Sequence, residues 1–184
     1  MNATAMRSKR AIIGALLCKL EKSRFEEITI SELAAMAGVS RKTFYRNFHG
    51  KQDVVDEYVS ELVDQYLAQA KQLEPTDFND VLIHYFSFWN TVVHTLKILQ
   101  RNNLLGSVLD VQTERLIELL PSQPHPWHDS ALGDEQTIDL LIIGGLWNIL
   151  RFHLHHDDRL SPEALSAEII TSLSTRTAVL LPAQ

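Results

Sequence analysis

The chain has 184 residues, of which 45% are hydrophobic and 22% charged, a composition typical of a globular protein and not of a disordered one. Its formal net charge is −6, but the charge is uneven: residues 1–50 carry 9 Lys and Arg against 4 Asp and Glu, whereas residues 51–184 carry 8 against 19. This asymmetry indicates that the N-terminal part meets a polyanion and that the remainder does not.

The first helix region predicts neither export nor a membrane span. Basic residues at 7–10 precede a short apolar run, but charged residues follow it in place of a small-residue cleavage site. No apolar run approaches the roughly 20 residues that cross a bilayer. Cys18, the only cysteine, cannot form an intrachain disulfide, and we expect a small core side chain rather than a redox or nucleophilic one. These features predict a cytoplasmic protein without a membrane partner.

Three helices are predicted in the first 50 residues. Residues 7–23 place apolar side chains at helical spacing and predict the first. A capping box at residues 29–32 begins the second, which ends at Gly38. Ser40 caps the third, over residues 41–47. Because Gly38 permits a sharp backbone turn between the two short helices, this pattern predicts a helix-turn-helix.

The third predicted helix has two different faces. Phe44 and Phe48 lie four residues apart, so we expect them to pack against the neighbouring helices. The outer face then carries cations, a hydroxyl and a phenol, namely Arg41, Lys42, Thr43, Tyr45 and Arg46. Such groups bind phosphates and base edges, and a helix fits the major groove of B-DNA. An ordinary solvated helix surface would explain the charge alone, but the turn and the basic N-terminal segment coincide with it.

The residues from Ile30 to Ser40, followed by Thr43-Phe44-Tyr45-Arg46-Asn47-Phe48 and Lys51, resemble the DNA-binding head of the TetR family of bacterial transcriptional regulators. The resemblance extends from about Arg7 to Tyr58. It implies an all-α homodimer with an N-terminal three-helix head and a larger helical body that binds an effector and dimerises. We therefore expect a helix-turn-helix DNA-binding domain at residues 1–51, the head, and an effector-binding and dimerisation domain at residues 52–184, the body.

The resemblance also implies roles for individual residues. By position, Thr43 and Lys42 would approach base edges, although family members often have a small residue where Lys42 stands. Tyr45 and Lys51 would hold phosphates, and Thr29 would place a helix N-terminus at the DNA backbone. The whole predicted DNA-binding set is Thr29, Ser40, Arg41, Lys42, Thr43, Tyr45, Arg46 and Lys51.

The sequence of the body predicts further helices, over residues 52–72, 78–102, 104–120, 135–155 and 162–180. One group of side chains in it could line an apolar effector pocket with a few polar groups: His84, Tyr85, Phe86, Phe88, Trp89 and Trp147. Aromatic residues at helical spacing are usually core, so pocket and core remain equal alternatives, and only the resemblance favours the pocket.

The last two predicted helices are candidates for the dimer interface. They combine apolar stripes with two adjacent glycines that allow close approach of a partner helix, and the predicted set is Leu140, Gly144, Gly145, Leu165, Ile169 and Leu173. The alternative is that this apolar surface is core within one chain. A further cluster, at residues 153–158, includes metal-binding types, but its members point in different directions and predict a solvated helix end, not a metal site.

No phosphate-binding glycine loop, GxSxG or HExxH motif is present, so we expect neither an enzyme nor a cofactor. The prediction is a repressor that binds a pseudo-palindromic double-stranded DNA operator as a homodimer and is released by a small-molecule effector. The alternative is a helix-turn-helix adaptor or activator that a protein partner controls.

Overall fold

The computed structural model describes residues 3–73, 75–119, 135–156 and 161–180. Within these ranges the chain forms helices and turns, which confirms the all-α prediction. A 3-10 helix covers Phe25–Glu27, and the α-helices are α1 (Ala3–Leu20), α2 (Ile30–Met36), α3 (Arg41–Asn47), α4 (Lys51–Ala70), α5 (Phe78–Thr91), α6 (Val93–Arg101), α7 (Gly106–Leu119), α8 (Glu135–His156) and α9 (Pro162–Leu180).

The single helix expected over residues 78–102 is wrong, because the chain breaks it into α5 and α6 at Val92. Three consecutive β-branched residues, at 91–93, surround the break, and such residues lose side-chain freedom in a helix. The hydroxyl of Thr91 also donates a 2.6 Å hydrogen bond to the carbonyl of Phe88. A side chain that bonds to the backbone in this way competes with the regular helical pattern.

The helices form two compact units. The first, unit 1, consists of two separate stretches of chain, Met1–Gln65 and His94–Arg115, and the second, unit 2, consists of Tyr66–Val93 and Leu116–Gln184. These units do not divide at residue 51. The boundary expected there separates two functions, DNA binding from effector binding and dimerisation, and it stays a prediction.

Unit 1 has a small apolar core where α1, α2 and α3 pack on one another. Its fully buried side chains include Ile12, Leu16, Leu33 and Phe44, and Phe48 is 3% exposed. The predicted packing role of the two phenylalanines is confirmed. Their ring centroids lie 6.0 Å apart.

Unit 2 contains a core of large side chains on which α5 and α9 pack. One face of α8 is buried there, with Ile143, Leu146, Trp147, Leu150 and Leu154 each at most 6% exposed. A polar contact joins α9 to α5, since the Ser166 hydroxyl donates a 2.7 Å hydrogen bond to Oδ1 of Asn79. Unit 2 thus depends mainly on the burial of apolar area.

By length and composition, residues Gln136–His156 of α8 could cross a membrane, which contradicts the expectation that no apolar run is long enough. One such helix is weak evidence, since core helices of globular proteins meet the same criterion. Asp139 and Arg151 lie within it, and charged groups are costly in the hydrocarbon of a bilayer. The helix does not indicate a membrane protein.

Candidate nucleic-acid interface

The N-terminus of α2 is fixed by a reciprocal pair of hydrogen bonds. The backbone N–H of Glu32 donates to the Thr29 hydroxyl at 3.2 Å, and the Thr29 N–H donates to the Glu32 carboxylate at 2.9 Å. Lys19 of α1 donates to the same carboxylate at 2.9 Å. The backbone bond from Thr29, followed by the bond from Lys19, lowers the pKa of Glu32 to about 2. The predicted capping box is present, and it ties α2 to α1.

The turn between α2 and α3 depends on Gly38, whose φ of 65° lies in the left-handed region. The Val39 N–H donates to the Ala34 carbonyl at 2.9 Å and the Gly38 N–H to the Ala35 carbonyl at 3.1 Å, so carbonyls at the end of α2 are satisfied. A Cβ at Gly38 would meet no atom within 4 Å. Strain in the backbone, not lack of space, therefore selects glycine here.

Helix α3 begins at a second cap. The Thr43 N–H donates to the Ser40 hydroxyl at 3.0 Å, and the Asn47 side chain donates to the Thr43 carbonyl at 2.7 Å. Both the turn before α3 and the first turn of the helix are therefore held in place, as is its buried face through Phe44. The orientation of the exposed face follows from these three constraints.

The predicted contact residues of α3 lie on that exposed face. Arg41, Lys42, Tyr45 and Arg46 are exposed, whereas Thr43 is half-buried, with its hydroxyl 3.0 Å from that of Ser40. Within the described ranges, none of the three cations forms an ion pair. Free guanidinium and ammonium groups on a capped helix are suited to phosphates and to the acceptor atoms of guanine.

Lys51 is engaged differently from the other predicted contacts. Its Nζ donates to the carbonyl of Phe25 at 2.6 Å, lies 3.3 Å from the carbonyl of Glu26, and stands 4.7 Å from the centroid of the Phe25 ring. This arrangement could not be predicted from the sequence, because 26 residues separate Lys51 from Phe25. Its predicted phosphate contact stays a prediction.

Residues 25–58 match the family described as bacterial regulatory proteins, tetR family. The match runs from the 3-10 helix through α2 and α3 into α4, which includes both caps and the turn at Gly38. Residues 25–58 thus form a TetR-type DNA-binding helix-turn-helix. The protein is a DNA-binding transcriptional regulator.

Solved structures share the fold of this chain. Lin0861 from Listeria innocua aligns with a TM-score of 0.77 at 15% identity, over 95% of this chain and 93% of that one. The TetR family repressor AlkX from Dietzia sp., implicated in biodegradation of n-alkanes, aligns with a TM-score of 0.56 at 18% identity, over 91% and 93%. FadR from Bacillus subtilis in complex with stearoyl-CoA aligns with a TM-score of 0.58 at 20% identity, over 89% and 96%. Among curated proteins, none matches this sequence.

The aromatic residues predicted for an effector pocket come together in unit 2. Tyr85, Phe86, Phe88, Trp89 and Trp147 are buried, and His84 is half-buried. The centroids of the Trp89 and Trp147 rings are 6.3 Å apart. We call these six residues, together with Tyr66, the aromatic cluster.

Tyr66 lies at the centre of the aromatic cluster, although it is not among the residues predicted for the pocket. Its ring centroid is 5.4 Å from that of His84, 5.3 Å from Phe88 and 6.2 Å from Trp89. Burial raises the pKa of the Tyr66 hydroxyl. The signal that could have located Tyr66 is its helical spacing from Val59 and Leu62, which are buried as well.

Two nitrogen atoms of the aromatic cluster, Nε2 of His84 and Nε1 of Trp89, are buried without a hydrogen-bond partner among the described residues. Burial lowers the pKa of His84, and a hydrogen bond with the backbone of Tyr66 offsets part of that effect. The neutral imidazole is therefore the favoured form at pH 7. A buried polar atom without a partner is costly, so this cluster differs from a purely apolar core.

The predicted dimer residues are divided between core and surface. Leu165 is buried inside unit 2, and Ile169 is half-buried. Leu140 is 42% exposed and Leu173 is 53% exposed. Gly145 is exposed and Gly144 half-buried, and a Cβ added to either would meet no atom within 4 Å. The glycines therefore do not accommodate a neighbouring helix from the described ranges of the chain.

At the end of α8, His153 is half-buried and His155 and His156 are exposed, while residues 157 and 158 lie outside the described ranges. A ring nitrogen of His156, Nδ1, lies 2.8 Å from the carbonyl of Phe152. Among the described residues, no three His, Cys, Asp or Glu side chains are grouped to hold a metal ion.

Proposed function

We propose that this regulator is a cytoplasmic repressor that binds a pseudo-palindromic operator as a homodimer and leaves it when a small-molecule effector binds the body. The exposed cationic face of α3 is the observation that supports DNA binding at this site most directly. Its cations form no ion pair with any described residue. The Ser40 cap and a buried aromatic face fix the helix that carries them. A rigid helix with free donors can dock into the major groove without reorganisation.

The contacts in this proposal follow from the position of each side chain. Lys42 and Thr43, in the first turn of α3, approach base edges, and Arg41 and Arg46 flank them. Tyr45, 48% exposed, donates its phenol to a phosphate. The N-terminal ends of α2 and α3, capped by Thr29 and Ser40, direct their positive dipole ends to the DNA backbone.

The homodimer in this proposal forms through a surface of α8 and α9 that we call the outer stripe. On α8 it consists of Ile138, Leu141, Gly145 and Phe152, which share one helix face opposite the buried one, and on α9 of Ile170 and Leu173. Leu141 is 70% exposed and Phe152 is 59% exposed. An exposed apolar stripe of this length is typical of an association surface, and a two-fold axis would convert two copies into a four-helix contact.

The effector in this proposal is an apolar compound that carries a polar group. The aromatic cluster supplies apolar area, while Nε2 of His84 and Nε1 of Trp89 are available to hydrogen-bond that group. Two structures of similar fold concern n-alkane biodegradation and a stearoyl-CoA complex, so compounds with long alkyl chains are the first candidates. Effector binding shifts the dimer population to one whose heads no longer match the operator.

Selection of bound duplexes from a random DNA library tests the proposal. We expect the protein to enrich a pseudo-palindrome whose half-sites lie roughly 34 to 36 Å apart, or a multiple of that distance. Lys42→Ala should change the preferred bases, whereas the exposed control Lys22→Ala should not. If the library yields no enriched motif, or if Lys42→Ala selects an unchanged motif, the assigned DNA contacts are wrong.

Mass measurement in solution tests the outer stripe. Leu173→Glu should give a folded monomer with weak operator affinity, and Thr171→Glu, which adds the same charge on the opposite face of α9, should remain a dimer. A dimer of full affinity in Leu173→Glu would remove α9 from the interface.

Thermal melting and operator binding with n-alkanes, 1-alkanols, alkanoic acids and stearoyl-CoA test the effector. We expect at least one alkyl compound to raise the melting temperature of unit 2 and to release the operator. Release by a protein partner, with no effect of any alkyl compound, would favour the adaptor alternative.

A further inference from the structure

Two polar side chains of the aromatic cluster pack against the same ring, that of Tyr66. The imidazole of His84 stacks on it with the ring planes 22° apart and the centroids 5.4 Å apart, and the indole of Trp89 lies at 26° and 6.2 Å. Neither Nε2 of His84 nor Nε1 of Trp89 has a hydrogen-bond partner among the described residues. Trp89 is 0% exposed. The two nitrogens that lack partners therefore belong to neighbours of one buried ring.

These two nitrogens have opposite hydrogen-bonding roles. The indole nitrogen of Trp89 carries a hydrogen and can only donate. Burial lowers the pKa of His84, and a hydrogen bond with the backbone of Tyr66 opposes that effect. A bond that acts in this direction is one that the ring N–H donates to a carbonyl, and because Nε2 has no partner, the donor is Nδ1. The neutral ring then carries its proton on Nδ1, and Nε2 is an acceptor.

The aromatic cluster offers no positive charge to a ligand. None of its members is a lysine or an arginine, and burial favours the neutral form of His84. Burial also raises the pKa of the Tyr66 hydroxyl, which keeps this group protonated. A carboxylate or a phosphate bound there would lose its hydration without gaining a counter-ion from the cluster, and such burial of a charge is costly. The polar group of a ligand that suits these surroundings is therefore uncharged.

We propose that the effector is an apolar compound with a hydroxyl group, such as an alkyl alcohol, which donates to Nε2 of His84 and accepts from Nε1 of Trp89. A hydroxyl group is uncharged and both donates and accepts. An ether accepts only, so it would leave the acceptor on His84 without a partner, and a hydrocarbon would leave both nitrogens so. The inference rests on the proposed function, in which an effector binds the aromatic cluster, and it narrows the alkyl compounds named there to alcohols.

Titration calorimetry of the full-length protein with four compounds at pH 7 provides the first test. The compounds are 1-octanol, heptyl methyl ether, n-nonane and heptanoate, which have the same number of non-hydrogen atoms but differ in their polar group. We expect 1-octanol to bind about tenfold more tightly than n-nonane, which makes no hydrogen bond. Heptanoate, whose carboxyl group is ionised at this pH, should bind more weakly than 1-octanol by at least about the same factor. Equal or tighter binding of n-nonane or heptanoate would overturn the proposal.

A substitution at His84 provides the second test. His84→Phe should weaken the binding of 1-octanol about tenfold and leave that of heptyl methyl ether unchanged, because the ether has no hydrogen to donate. The control His155→Phe replaces an exposed histidine at the end of α8 and should change neither affinity. If Nε2 of His84 binds only a buried water, His84→Phe should alter the affinities for both compounds by one common factor. That result would overturn the proposal.

If His84→Phe does not fold, nitrogen-15 NMR of the histidine rings in the unsubstituted protein takes its place. Addition of 1-octanol should move the acceptor-nitrogen resonance of a neutral imidazole, and heptyl methyl ether should not. An unmoved resonance would overturn the proposal.

The failure of this inference differs from that of the proposed function. If none of the four compounds binds, the proposed class of effector is wrong, and this inference falls with it. If n-nonane or heptanoate binds at least as tightly as 1-octanol and releases the operator, the proposed function stands and only the hydroxyl group is wrong.

Discussion

Each of the two compact units of this regulator is stabilised internally by a different kind of interaction. In unit 1, short helices are oriented by directional bonds: a capping box at Thr29, a cap at Ser40 and the bonds around Phe25. In unit 2, stacked rings around Tyr66 bury apolar area, and that kind of stabilisation has no preferred direction. Two buried nitrogens there have no hydrogen-bond partner among the described residues. Precise display of side chains depends on the first kind of construction, and the proposed binding of an apolar effector would depend on the second.

Among substitutions that separate the two units, Phe48→Ala should have the largest effect. The ring is 3% exposed in the small core of unit 1, and its loss should lower the free energy of unfolding of unit 1 by roughly 3 to 5 kcal/mol. DNA binding should be lost while unit 2 stays folded. In a Trp127→Phe background, tryptophan fluorescence reports on unit 2, since the two remaining tryptophans, Trp89 and Trp147, belong to it. Tyr45→Ala, an exposed neighbour, should leave stability unchanged. A tryptophan transition that shifts as far as the helical signal would mean that the units do not unfold separately.

Ser40→Ala should have an intermediate effect. It removes the acceptor of the Thr43 N–H, and loss of such a cap costs about 1 kcal/mol. The free energy of unfolding of unit 1, measured by urea titration, should fall by that amount, and operator affinity should fall with it. Ser161→Ala removes the corresponding cap of α9, where the Ala164 N–H donates to the Ser161 hydroxyl at 3.3 Å, and should spare operator affinity. Equal losses of affinity in both variants would contradict the local role of Ser40.

The two units should also lose stability in different pH ranges. The pKa of Glu32 is lowered to about 2 from 4.5, so the stability that its carboxylate gives to unit 1 is complete above pH 4.5 and is lost as the pH falls toward 2. Glu32→Gln keeps an acceptor for the Thr29 N–H. It should make the free energy of unfolding of unit 1 depend less on pH below pH 4.5. A profile of the same slope in both proteins would show that Glu32 does not contribute.

The smallest expected effect concerns His84, whose pKa is lowered by burial. As the pH falls, His84 is therefore protonated at a higher pH in the unfolded chain than in the folded one. Unit 2 should lose stability as the pH falls below 6.5. His84→Phe should reduce this loss when tryptophan fluorescence is followed between pH 7 and 5, whereas the exposed His155→Phe should not. Identical pH profiles for the two variants would exclude His84 as the cause.

Sequence reasoning succeeded where the determining signals are local. The caps at Thr29 and Ser40 and the turn at Gly38 are encoded within a few residues, and the structure has them. The inward orientation of Phe44 and Phe48 follows from helical spacing alone.

Contacts between distant residues could not be predicted. Nothing in the sequence distinguishes Asn102 from other asparagines, because the Phe25 N–H that donates to its Oδ1 is 77 residues away. The break at Val92 and the central place of Tyr66 likewise depend on packing between helices. For the same reason, the sequence could not divide the apolar residues of α8 between a buried face and an exposed one.

The discontinuous chain path of unit 1 limits how its DNA specificity can be transplanted. A chimera that takes residues 1–51 from this protein and the rest from a relative would separate the Phe25 N–H from Asn102 unless the relative supplies an equivalent amide. The compact unit to which both partners belong consists of two segments, Met1–Gln65 and His94–Arg115. We therefore expect substitution on α3 to change the DNA preference of this protein with less disruption than exchange of residues 1–51.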